Sequence, residues 1–154
     1  MRERTMSSTP NQIMNRLAYL GLIPFALSLI CIWADKTLFG LSAHKVFIAY
    51  SAVILSFLSG ILWGNAIDHM KTSLSRNALL LSNLFALIAW GVLLHSPESY
   101  VWSVLVLLFG FVAIWFAEKK IREVEKENSP ADYQPMRNKL TGIVAFFHLV
   151  ALAS

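Results

Sequence analysis

The sequence predicts an all-α integral membrane bundle of five transmembrane helices, and composition is the first reason. Of 154 residues, 56% are hydrophobic and 14% charged, whereas soluble domains are about 45–50% apolar and about 25% charged. The mean hydropathy of +0.58 agrees. These values exclude a soluble globular domain and a disordered chain. The single cysteine, Cys31, cannot form an internal disulfide.

Five apolar runs are the second reason, because none of them contains Asp, Glu, Lys or Arg. A helix needs about 20 residues to cross roughly 30 Å of hydrocarbon. The last run is short and becomes adequate if its helix starts near Met136, with Arg137 and Lys139 reaching towards the headgroups. A half-inserted last helix is the alternative. The predicted spans are 17–34, 46–66, 78–94, 101–117 and 136–153, within one domain of residues 17–154.

The segments outside the spans are polar. Residues 1–16 form an N-terminal tail whose basic flank precedes a run too long for a signal peptide, so we expect a retained anchor. Residues 118–135 form a charged loop. Its first part, 118–128, is expected to continue the fourth helix, supported by the i,i+4 pairs Glu118–Arg122 and Lys119–Glu123.

The distribution of positive charge predicts the orientation. Eleven Lys and Arg residues lie in the tail and in the second and fourth loops, against two in the first and third. The positive-inside rule therefore places the N-terminus inside and the C-terminus outside. The net positive charge is therefore explained by the membrane topology, and we expect no nucleic-acid partner.

Small residues recur every four positions in the second span, at Ala52, Ser56, Gly60 and Gly64. This spacing puts them on one helix face, where small side chains allow another helix to approach closely. The face is expected to serve packing inside the bundle or, alternatively, an interface with a partner protein or a second copy.

A second group of residues could frame a pocket open to the inner leaflet. Pro24 should kink the first helix, and Trp63 is expected to pack inside the bundle. Asn83 and His148 are costly in lipid and should point inward. The possible lipid or quinone pocket comprises Pro24, Trp63, Asn65 and Asn83.

Catalytic signatures are missing from the sequence. It has no Walker loop, no G-x-S-x-G and no H-E-x-x-H motif. His148 lacks an evident second ligand at its depth, so we predict no metal site and no cofactor. The sequence therefore favours a protein that is not an enzyme.

Three motifs together resemble a known family. They are residues 17–25 (LAYLGLIPF), residues 50–64 (YSAVILSFLSGILWG), and the start of the last span with Tyr133, Arg137, Leu140 and Thr141. They are similar to the domain-of-unknown-function 3429 family, which includes transmembrane protein 69. The resemblance covers nearly the whole chain from Leu17 onward. The resemblance implies a small inner-membrane protein of bacteria, with a mitochondrial branch, and brings no established activity with it.

Three functions are compatible with these observations. The first is an accessory subunit or assembly factor that packs with other membrane proteins or with itself. The second is a protein that binds a lipid or an isoprenoid quinone. The third and weakest is a transporter of small solutes. In each case we expect a multi-pass protein in the bacterial inner membrane, with the lipid bilayer as a constant partner.

Overall fold

The computed structural model describes residues 10–68, 73–94, 99–125 and 133–154, and these parts are almost entirely helical. Residues 1–9 and 126–132, on which the predicted tail and part of the charged loop fall, lie outside the described residues. The helices are α1 (Pro10–Leu20), α2 (Ile23–Trp33), α3 (Ala43–Asp68), α4 (Ser73–Leu94), α5 (Tyr100–Glu125) and α6 (Tyr133–Leu152). A short hairpin of β1 (Thr37–Leu38) and β2 (Leu41–Ser42) joins α2 to α3.

Four segments of the described chain are long and apolar enough to cross a membrane. They are Gln12–Trp33, Ala43–Asp68, Ser73–Leu94 and Tyr100–Val124. These segments match the first four predicted spans, and they confirm a multi-pass helical bundle. α6 does not meet the same hydropathy criterion. Its 20 residues nevertheless cover about 30 Å at the helical rise, and Phe146 and Leu149 face outward from it.

The first crossing is two helices joined by a tight turn at Gly21 and Leu22. Pro24 sits in the first turn of α2, where its missing N–H costs no helical bond. The predicted kink is therefore present, two residues before the position of the proline. The Tyr50 hydroxyl of α3 donates to the Gly21 carbonyl at 2.8 Å and satisfies one of the acceptors that the break exposes. α1 also begins earlier than predicted, because residues 10–16 are helical instead of an open tail.

Helices α2 to α6 pack as a closed ring in which each contacts the next and α6 returns to α2, while α3 also contacts α5 and α1 contacts α6. α3 and α5 approach each other closely at Gly110, where an added Cβ would lie 2.8 Å from a methyl carbon of Leu55. The Phe25 ring of α2 makes edge contacts with Phe47 of α3 and Phe111 of α5. These three rings belong to the main apolar core.

Candidate ligand-binding cleft

A cleft of about 600 Å³ opens between the first crossing, α3, α5 and α6. This volume lies within the range of about 300–1,000 Å³ that is typical of small-molecule sites. Its walls are overwhelmingly apolar, and their residues come from all four elements: Leu17 and Leu22, Phe57 and Ile61, Phe111, and Leu140 and Val144. This apolar lining suits a ligand that has a hydrocarbon chain.

One end of the cleft is polar. Asn65, Arg122, Tyr133 and Arg137 line it there, near the C-terminal ends of α3 and α5 and the N-terminal end of α6. By the predicted topology this end faces the cytoplasm. The cleft therefore combines a long apolar wall with one concentrated group of charged and hydrogen-bonding side chains.

Glu118 is the centre of this polar end and is almost fully buried. Its Oε2 accepts a hydrogen bond from Arg137 Nε at 2.9 Å, and its Oε1 accepts one from the Tyr133 hydroxyl at 2.7 Å. Arg122, one turn further along α5, approaches Oε1 at 3.5 Å. The Arg122 guanidinium also lies 4.4 Å from the centre of the Tyr133 ring. We call these four residues the Glu118 cluster.

The Glu118 cluster corrects one prediction. Arg137 was expected to reach outward to the headgroups, but its side chain is only 9% exposed and is bonded to Glu118. A buried charge is stable only when it is paired and hydrogen-bonded, so Arg137 turns towards the Glu118 carboxylate. Lys139, two residues on, is exposed as predicted. The predicted i,i+4 pairs of Glu118 with Arg122 and of Lys119 with Glu123 are confirmed.

Tyr133 is a proton donor in this arrangement. Burial, together with the negative charge and hydrogen bond of Glu118, raises the pKa of its hydroxyl from 10.0 to about 12. The phenol therefore keeps its proton at neutral pH and fixes one oxygen of the carboxylate. With Glu118 held by three partners, the cluster carries two guanidinium charges against one carboxylate.

The other end of the cleft is closed by aromatic rings. Phe25 and Phe111 line it there, and His148 lies directly behind them with ring centroids 5.9 Å and 5.2 Å away. His148 is fully buried, as predicted. Its Nδ1 lies 2.8 Å from the Val144 carbonyl, so that nitrogen carries the proton. Among the described residues, Nε2 has no hydrogen-bond partner.

The structure brings only one of the four predicted pocket residues into the cleft. Asn65 lines it, whereas Pro24, Trp63 and Asn83 do not. Trp63 is 47% exposed instead of packed inside the bundle. Asn83 points outward, and its amide donates to the Leu79 carbonyl one turn back. That bond satisfies the side chain locally, which is why the prediction that Asn83 points inward is wrong.

The residues of the small-residue face of α3 differ in how far they are buried. Ala52 is buried in the bundle, while Ser56 and Gly60 are exposed and Gly64 is half-buried. A Cβ added at Gly60 or Gly64 would meet nothing within 4 Å. Within the described part of the chain the two glycines therefore serve no close packing between helices, whereas Gly110 does.

The sequence analysis did not predict that Tyr133 and Arg137 hydrogen-bond to Glu118. A signal was present, since Tyr133 and Arg137 are four residues apart and so share a helix face. Glu118 is also the first charge after a long apolar run. The described residues contain no group of three or more His, Cys, Asp or Glu that could hold a metal ion.

Four apolar crossings, a ring of packed helices and one internal cleft define a small multi-pass helical membrane protein. The chain matches the family described as protein of unknown function (DUF3429) over residues 10–153. It belongs to this family, in agreement with the resemblance of its motifs. No curated protein and no solved structure matches the chain.

Proposed function

We propose that this protein binds a membrane amphiphile, with the apolar chain of the ligand along the cleft and its polar head against the Glu118 cluster. One observation carries the proposal: an apolar cleft of about 600 Å³ ends at buried, charged hydrogen-bonding groups. A site of this kind suits a molecule that is apolar at one end and polar at the other. In this proposal the protein is not an enzyme, and it resides in the bacterial inner membrane with its N-terminus inside.

The position of the cleft supports this proposal. It opens between helices whose outer faces, away from the cleft, carry large apolar side chains, such as Ile30 and Phe109, which are 63% and 69% exposed. Surfaces of this kind face lipid in a membrane protein. A lipid-like ligand could therefore enter sideways from the bilayer, without passing through water.

The test reduces the space in the cleft by introducing a large side chain on one of its walls. Ile61→Trp on α3 places an indole in the cleft, and Val53→Trp puts the same group on the outer surface of the same helix. Each protein is purified in mild detergent, and its bound lipids are identified by mass spectrometry. We expect wild type and Val53→Trp to carry one enriched species relative to the bulk membrane, and Ile61→Trp to lose it. Bulk composition in all three samples would contradict the proposal.

A second function is favoured by the open face of α3. Because a Cβ at Gly60 or Gly64 would meet none of the described residues within 4 Å, we propose that these glycines admit a helix of another membrane protein, for which this protein is an accessory subunit or assembly factor. Close approach at small residues is how helices associate in lipid. Gly60→Leu with Gly64→Leu should release a co-purifying membrane protein, while Gly91→Leu, at an equally open position on α4, should not. Retained association in the double variant would exclude this face.

A further inference from the structure

Helix α4 has a second regular face, and no described part of the chain covers it. The helix contacts α3 and α5, and its buried residues from Ala78 onward follow one another at alternating steps of four and three. They are Ala78, Ser82, Phe85, Ala89 and Val92. A second series with the same alternation, all of it exposed, lies on the opposite side, and we call it the outer seam. Its residues are Leu80, Asn83, Leu87, Trp90 and Leu94. This is the spacing of helices that pack side by side along their length.

Asn83 distinguishes the outer seam from an ordinary lipid-facing surface. It lies ten residues from one end of the Ser73–Leu94 span and eleven from the other, which is about 15 Å from either end at the helical rise. Its short side chain therefore cannot reach the headgroups, as a long lysine or arginine side chain can. An exposed amide at this depth faces hydrocarbon, where an unpaired polar group is costly.

The amide of Asn83 uses only part of its hydrogen-bonding capacity within the chain. Its Nδ2 donates to the Leu79 carbonyl at 2.9 Å. A side-chain amide has two N–H donors and an oxygen that accepts, so one N–H and the Oδ1 atom are left over. Among the described residues, none bonds to them. The middle of the outer seam therefore presents one donor and one acceptor to whatever packs on it.

A second copy of the chain meets this requirement. Two copies insert with the same orientation, so a twofold axis along the membrane normal brings the two Asn83 side chains together at the same depth. Each amide supplies both a donor and an acceptor, so the pair is self-complementary. Leu80 and Leu87 then pack on either side of it, as apolar residues flank a single Asn in parallel coiled coils. A different protein would have to carry a polar residue at the same depth.

We infer that the outer seam is a homodimer interface, in which two chains pack α4 against α4 in parallel and their Asn83 amides hydrogen-bond across the twofold axis. Polar pairs of this kind associate helices in lipid. Arg76, which is also exposed, continues the series at the inner end of α4, where its long side chain can extend into the headgroups and away from its symmetry mate. In the part of the chain that the structure describes, α4 contributes no residue to the cleft. The inference is therefore independent of amphiphile binding.

The test measures self-association of the full-length protein in a bilayer. Copies labelled at the N-terminus with a donor or an acceptor fluorophore are reconstituted together into vesicles of phosphatidylethanolamine and phosphatidylglycerol. Energy transfer is followed as the protein-to-lipid ratio changes, and wild type should follow a dimer dissociation curve. Asn83→Leu should need about a tenfold higher ratio for half-maximal transfer, because it loses the interhelical hydrogen bonds. Asn83→Gln keeps the amide and should stay within about threefold of wild type.

Further variants locate the interface. Leu87→Ala should shift the curve in the same direction as Asn83→Leu. Leu149→Ala removes the same groups from α6, where Leu149 is 57% exposed against 61% for Leu87, and it should match wild type. In a Cys31→Ala background, Leu87→Cys should form an intermolecular disulfide on oxidation with copper phenanthroline, because identical seam positions face each other across a parallel twofold axis. Leu149→Cys should not.

Four results would overturn the inference. Energy transfer of wild type at the level of random proximity would show that the chain is a monomer. A dimer that Asn83→Leu and Leu87→Ala leave unchanged, or that crosslinks through Leu149→Cys instead of Leu87→Cys, would use another face. Equal weakening by Asn83→Gln and Asn83→Leu would mean that the amide is not the bonding group. A monomeric wild type from which Asn83→Leu releases another membrane protein during purification would assign the outer seam to that partner.

Discussion

Arg137 of α6 donates from Nε to Oε2 of Glu118 on α5 at 2.9 Å, and both side chains are more than nine-tenths buried. The contact joins two consecutive helices at the depth where the cleft becomes polar. Most of the charged side chains that the structure describes lie on the surface. This pair is instead buried, and it marks the polar end of the cleft.

Removing one partner of the Glu118–Arg137 pair should strongly destabilise the protein. Arg137→Met leaves Glu118 without its closest cation, so we expect a loss of about 3–5 kcal/mol in the free energy of unfolding. The double variant with Glu118→Leu should recover most of that loss, because neither member of the Glu118–Arg137 pair is then left buried without the other. Thermal unfolding in detergent measures both. Lys119→Met, which removes an exposed pair with Glu123, should cost about 1 kcal/mol or less; an equal loss there would contradict the assignment.

Tyr133 should make stability depend on pH in the alkaline range. Its pKa is raised from 10.0 to about 12 in the folded protein. A folded-state pKa above the unfolded value means that the stabilisation is complete below pH 10 and is lost as pH rises towards 12. Tyr133→Phe lacks the hydroxyl group, so it has neither the titrating proton nor the hydrogen bond to Glu118. The difference in Tm between wild type and Tyr133→Phe should therefore shrink across this interval, whereas a constant difference would show that the hydroxyl is not held as described.

The helix break should depend on Tyr50. Its hydroxyl satisfies the Gly21 carbonyl at 2.8 Å, and Tyr50→Phe removes that donor while keeping the ring against Phe25. We expect a loss of about 1 kcal/mol in stability and faster amide exchange in the first crossing around the break. Tyr19→Phe alters an outward-facing ring nearby and should change neither. Unchanged exchange in Tyr50→Phe would mean that the break does not need this bond.

Gly110 should tolerate substitution less well than the glycines of the GxxxG motif. A side chain at Gly110 collides with the methyl carbons of the buried Leu55 at 2.8 and 3.1 Å. Gly110→Leu should therefore destabilise the bundle by about 1–3 kcal/mol through overpacking. Gly91→Leu enters open space and should keep the Tm of wild type. If Gly110→Leu unfolds at the same temperature as wild type, α3 and α5 are not in close contact there.

The helices could be predicted from the sequence, but the depth at which charged residues meet could not. Apolar runs dictate helices in lipid because every backbone group must be bonded within its segment, and Pro24 marked the break to within two residues. Glu118 and Arg137 flank different runs on either side of a loop, and no local pattern indicates that they meet. The glycine spacing at Gly60 and Gly64 likewise shows that close approach is possible there. Only the packed bundle shows that Gly110 is the glycine that α3 approaches.

The Glu118–Arg137 pair also has a consequence for biogenesis. Among the described helices α6 is the one full-length helix that is not apolar enough to count as a span by itself, and an unpaired arginine near its start makes solitary insertion costly. α5 meanwhile carries a buried carboxylate whose two shortest hydrogen bonds come from Tyr133 and Arg137 of α6. We therefore expect the two helices to enter the bilayer together as a hairpin, with translation of α6 completing the insertion of α5. In a chain that stops after α5, Glu118 keeps only the 3.5 Å contact with Arg122 of its own helix, and we expect α5 to be held less firmly in the membrane.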